Sequence, residues 1–219
     1  MRMTLNSLMS ILLLAGGVFL SGCENAYYGV MERFNVEKRD ILVDRVQAAR
    51  DSQNEAKDQF RSALSQFEAV VDFEGGELEE MYDGMKQEYD ASQDAANKLS
   101  SRIDKVEDVA EDLFDEWEAE LDDYSSDELR RASARQLRQT RTNYDGLITS
   151  MRLAEARMEP VLESFEDQVL FLKHNLNAVA IASLDDELAN MRSRVDVLVD
   201  DMEEAIQKAE AFIDEMMKG

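Results

Sequence analysis

Apolar and small residues recur at alternating steps of four and three along most of the chain. From about Asp40 to Val71 the series is Leu42, Val46, Ala49, Gln53, Ala56, Phe60, Ala63, Phe67 and Val70. This spacing brings a side chain back to one helix face at every turn, the pattern of helices wound on one another. Gln53 is the polar exception, and a polar seam residue commonly fixes register at some loss of stability. The pair Gly75-Gly76 is the clearest helix break. A second series then runs through Leu78, Tyr82, Met85, Tyr89, Ser92, Ala96, Leu99, Ile103, Val106, Ala110, Leu113 and Trp117. It predicts a helix over about Glu77 to Asp122, reaching roughly 70 Å at 1.5 Å per residue. Such a length points to an elongated coiled coil.

The run Asp122-Asp123-Tyr124-Ser125-Ser126 predicts the next break, with Ser125 and Glu128 at capping-box spacing. A third seam follows through Leu137, Thr140, Tyr144, Leu147, Met151, Ala154, Met158, Val161 and Phe165. It shifts phase to Val169, Leu172, Leu176 and Val179. Pro160 lies inside this run, where its missing amide predicts a kink or short break near Glu159. Ser183 is placed to cap a last helix, with Asp185, Asp186 and Glu187 at its positive end. The seam of that helix is Leu184, Leu188, Met191, Val195, Leu198, Met202, Ala205, Ala209, Phe212 and Met216.

Short joins place successive helices antiparallel. The predicted fold is all-α: an elongated antiparallel coiled coil or four-helix bundle of long helices, one domain over residues 40–219. Each apolar face reads as narrow and rich in Ala, Ser and Met, which predicts a thin core. Association into a homo-oligomer would add burial.

The first residues break this pattern. Arg2 and the amino terminus precede an apolar stretch from Leu8 to Leu20, too short to span a bilayer and suited to a signal segment. It ends in Leu20-Ser21-Gly22-Cys23, which resembles the lipobox of bacterial lipoproteins. The expectation is a signal peptide over residues 1–22, cleavage before Cys23, and a diacylglycerol on the Cys23 thiol. A membrane-proximal segment over 23–39 follows. Two acyl chains suffice for stable anchoring. In bacterial lipoproteins an Asp after the Cys usually signals inner-membrane retention. Glu24 stands there, which favours the periplasmic face of the outer membrane. Tyr27, Tyr28 and Phe34 lie just after the anchor. Two readings fit the tyrosines: seats at the lipid interface, or packing on the base of the bundle.

Composition narrows the function. The 219 residues carry 24 Lys+Arg against 48 Asp+Glu, a net charge of −24, and loss of Arg2 with the signal takes it to −25. That excess opposes nucleic-acid binding, which needs a basic face. A single Cys excludes an internal disulfide, and a single His excludes a multi-histidine metal centre. Acids crowd Glu107 to Asp123, where cation binding competes with the plainer reading of a solvated helix face. His174 has Phe171, not Glu, three residues before it, so the bundle di-metal motif is absent. Lys173, His174 and Asn175 remain as a polar contact patch or a buried hydrogen-bond cluster. No phosphate-binding glycine loop is present. No metal or cofactor is expected.

Tyr27-Tyr28-Gly29-Val30-Met31-Glu32-Arg33-Phe34 and Lys38-Arg39-Asp40-Ile41-Leu42-Val43-Asp44-Arg45-Val46 resemble the start of a bacterial lipoprotein family catalogued as domain of unknown function 2959. Phe171-Leu172-Lys173-His174-Asn175-Leu176-Asn177-Ala178 resembles a later signature of that family. The resemblance implies a helical envelope protein over nearly the whole mature chain and carries over no activity, cofactor or site. The expected function is a non-enzymatic scaffold or adaptor facing the periplasm, held by Cys23 and contacting an envelope protein. The alternatives are an acidic bundle binding cations or cationic peptides, and a holdase-type chaperone.

Overall fold

A computed structural model describes residues 23–72, 78–175, 181 and 184–218, with side chains from residue 38 onward. The signal segment 1–22, the Gly75-Gly76 break and the Ser183 cap lie outside the described residues. The elements are α1 (Cys23–Val71), α2 (Leu78–Glu120), a 3₁₀ turn (Leu121–Asp123), α3 (Asp127–His174) and α4 (Asp185–Lys218). No strand occurs among the described residues.

Cross-helix partners set the topology. Along α1 and α2, Lys38 meets Glu116, Glu55 meets Lys98, and Gln59 meets Glu88. Along α2 and α3, Asp104 meets Arg152 and Glu118 meets Arg141. Along α3 and α4, Asn143 meets Glu215 and Arg157 meets Asp201. Along α4 and α1, Arg192 meets Glu68 and Glu203 meets Arg61. One number rises as the other falls in every pair of helices. The chain is therefore an up-down-up-down four-helix bundle, in which α1 and α3 each pack on α2 and α4.

The core follows the seam residue by residue. Every member of the α1 series from Leu42 to Val70 is fully buried, Gln53 included. In α2 the members from Met85 to Leu113 are buried apart from half-buried Tyr89, while Leu78, Tyr82 and Trp117 are half-buried nearer the helix ends. The faces are wider than the seam alone, which corrects the expectation of narrow ones. On α4 a second row seven residues apart, Val199, Ile206 and Ile213, is buried beside the first. A helix touching two neighbours needs this third position per heptad, whereas a two-stranded coil does not. The phase shift in α3 has the same form: Val161 with Leu162, and Gln168 with Val169, are buried as adjacent pairs.

Three local expectations change. First, α1 is already helical at Cys23, so residues 23–39 run into the bundle helix without a break. Second, α3 is capped by Ser126 rather than Ser125. The Ser126 Oγ accepts the Leu129 amide at 3.4 Å, and residue 129 has no carboxylate to return a bond. Asp127 and Glu128 instead supply charge at the helix start. Third, α3 does not break at Pro160. The carbonyl that loses its amide belongs to exposed Ala156, so it is not stranded in the core. The Pro160 carbonyl accepts from Ser164 Oγ at 2.8 Å and from Arg194 Nη1 at 3.1 Å, tying the site to α4.

Candidate functional site

The bundle has two ends, and the residues singled out in the sequence divide between them. One end carries the start of α1, the turn between α2 and α3, and the C-terminus of α4. Cys23, Tyr27, Tyr28 and Phe34 lie on the first turns of α1 there; their side chains lie outside the described residues. The other end carries the C-terminus of α3. Lys173 and His174 are exposed in its last turn. Asn175 closes the helix: its amide nitrogen donates to Leu172 O at 3.1 Å, and its Nδ2 donates to Phe171 O at 2.9 Å. The buried hydrogen-bond cluster is thus not formed. Asn175 is spent on capping, and the Lys173 ammonium lies at the negative pole of the helix. About 50 Å of helix separates the two groups, counted from Lys38 to Val71, so they do not form one site.

The end that carries the start of α1 is closed by an aromatic group that spacing alone did not reveal. The Phe114 and Tyr144 rings meet edge-on with centroids 5.3 Å apart, and Tyr144 meets Phe212 at 6.4 Å. The Arg141 guanidinium lies 5.2 Å from the Phe114 centroid and pairs with Glu118. Trp117 Nε1 donates to Ser133 Oγ at 2.8 Å. These residues join α2, α3 and α4, so only the bundle register unites them. Burial, with Glu107 adding to it, pushes the Tyr144 hydroxyl well above the ordinary tyrosine range. The folded state therefore holds this proton more tightly than the unfolded chain. The stability it contributes is whole below the unfolded value of about 10 and is lost as pH rises above it. A Tyr144→Phe variant is expected to lose less stability than the parent between neutral and strongly alkaline pH. Urea midpoints measured across that range test this, and parallel curves would contradict it.

The acidic face is less open to cations than its composition suggests. Arg152 bonds Glu107 and Glu155 and pairs with Asp104, and these partners, Glu107 foremost, hold its guanidinium firmly protonated. Lys38 takes Glu116 and Arg141 takes Glu118. No cluster of three or more metal-ligating residues occurs among the described residues. An open groove of about 400 Å³ lies between α1 and α4, lined by Arg61, Leu64, Glu68, Val195 and Asp200. Arg61 and Glu68 on its rim are themselves paired across the two helices. No helix among the described residues is long and apolar enough to cross a membrane.

No curated protein and no solved structure matches this chain. A family model described as protein of unknown function (DUF2959) matches residues 27–216, nearly the whole helical region, and the chain belongs to that family.

Proposed function

We propose that the protein is a lipid-anchored, periplasm-facing helical scaffold or adaptor of the bacterial envelope, without catalysis of its own. The observation that carries this reading is the continuity of α1 from Cys23 into the bundle. A lipid on that residue would join the packed domain through unbroken helix and present the far end, with Lys173 and His174, tens of ångströms from the membrane. The lipobox-like Leu20-Ser21-Gly22-Cys23 and the following Glu24 support anchoring at the outer membrane. Long helical faces laced by surface ion pairs suit recognition of another envelope protein, because they offer extended charged surfaces rather than a cavity.

The first test is the mass of the mature chain. Protein purified from bacterial membranes is expected to begin at Cys23 and to carry a diacylglyceryl group. A chain that retains residues 1–22, or that carries a free Cys23 thiol, would refute the anchor. Crosslinking in cells then tests the adaptor role, through recovery of a reproducible envelope partner that is lost when exposed residues of the far end are exchanged.

A further inference from the structure

The first three turns of α3 depart from the acidic character of the chain. Arg131, Arg135 and Arg138 are spaced four and three apart, so they form one stripe, and all three are exposed. None has an ion-pair partner among the described residues, whereas Arg130 pairs with Asp127 and Arg141 with Glu118. The buried residues Leu137 and Thr140 mark the inward side of these turns, and the stripe lies opposite them. Every cation between residues 127 and 141 is an arginine, the side chain whose planar fork matches phosphate oxygens.

The bundle register places this stripe near the start of α1. Lys38 reaches Glu116 and Arg141 reaches Glu118, two positions apart on α2. Residue 141 of α3 therefore stands level with about residue 36 of α1, and both helices run in the same direction. Residues 131 to 138 are then level with about residues 26 to 33. Counted along α1, that is roughly 5 to 15 Å above Cys23, and the nearer figure is within one Debye length at physiological salt.

We propose that Arg131, Arg135 and Arg138 form a docking face for the anionic phospholipid headgroups of the membrane that holds Cys23. This rests on the anchor reading above. The complementarity is one of charge: an unpaired cationic stripe on a chain of net −24, tethered beside a surface of phosphates. Tethering supplies the effective concentration that three exposed arginines alone lack. Asp122 and Asp123 at the turn are exposed, and Glu128 flanks the foot of the stripe. These acids resist end-on contact with an anionic surface, so the bundle leans on the side of α3 and the acidic faces turn outward.

The test uses the lipidated full chain with a fluorophore on Ala132→Cys, an exposed position beside the stripe. It is reconstituted in vesicles of phosphatidylcholine, with or without a third of phosphatidylglycerol, that carry a headgroup quencher. Quenching is expected only with phosphatidylglycerol. It should fade in about 0.5 M salt, where screening shortens the field to a few ångströms. Each Arg→Gln exchange should weaken the contact about fivefold, and the triple variant on the order of 100-fold. Protein that sediments with vesicles but is not quenched, or is quenched equally in the triple variant, overturns the docking face while leaving the anchor intact. Protein that does not sediment with vesicles overturns the anchor and the docking face together. A fluorescence change that tracks protein concentration without vesicles assigns the stripe to a second copy and also overturns the proposal.

Discussion

Phe60→Ala is expected to lower the stability of the bundle by about 3–5 kcal/mol, read as a fall in the urea midpoint with an unchanged slope. Phe60 is fully buried in the middle of α1. Its neighbours reach two other helices: Gln59 bonds Glu88 on α2, and Arg61 pairs with Glu203 on α4. The ring between them enters a layer where α2 offers Ser92 and Ala96, both small and buried. Truncation leaves a space that neither can fill, so the cavity contribution adds to the lost transfer energy. A domain of this kind has about 5–15 kcal/mol in total, so the variant approaches unfolding. Leu153→Ala is the matched control: Leu153 is 46% exposed, and its loss is expected to cost under about 1 kcal/mol. A Phe60→Ala loss as small as the control's would mean that α1 is not a full member of the core.

The seam residues were legible because a helix repeats its environment every three or four positions. Leu42 to Val70 could be assigned to the core without knowing what they face. What they face was not legible. Phe114, Tyr144 and Phe212 come from three helices, and a pattern along one helix holds no information about the offset between two. The second buried row of α4 was missed for a related reason: Val199, Ile206 and Ile213 matter only once a helix has two neighbours. The cap moved by one residue because Ser125 and Ser126 offer the same hydroxyl, and backbone geometry selects between them. The chemistry of Pro160 predicts a kink or a short break, yet it falls on the outer face, where the freed carbonyl is exposed and the helix continues. At the candidate site, the lipobox-like motif ending at Cys23 is local, so it can be read along the chain without the fold. Arg131, Arg135 and Arg138 were present in the sequence but submerged in an acidic average. The register that sets them level with the first turns of α1 exists only in the folded bundle.

Gln53→Met is expected to raise stability by about 1–2 kcal/mol, because it removes a buried amide that has no partner. Gln53 is fully buried, and neither its Nε2 nor its Oε1 meets a hydrogen-bonding group among the described residues. Two buried hydroxyls show how such polar groups are usually satisfied: Ser92 Oγ donates to Glu88 O at 2.8 Å, and Ser150 Oγ to Gly146 O at 2.9 Å. Gln53 is too long to bond back to its own helix from the seam, so its desolvation stands uncompensated. Methionine keeps the unbranched shape and removes both polar atoms, which isolates the polar contribution from packing. The gain should have a consequence for uniqueness. Seams on either side of residue 53 repeat small residues, Ala49 and Ala56, that would tolerate a helix slipped by one heptad. With no hydrogen bond of its own among the described residues, Gln53 does not hold the native offset by its own bonds. The ion pairs do: Lys38–Glu116, Arg152–Asp104 and Arg192–Glu68 are each broken by a slip. The variant is therefore expected to be more stable and still a single species, with unchanged sedimentation and one set of backbone resonances. A rise in the urea midpoint accompanied by mixed species would assign the register to Gln53 after all, and a fall in the midpoint would mean that buried water completes its bonds.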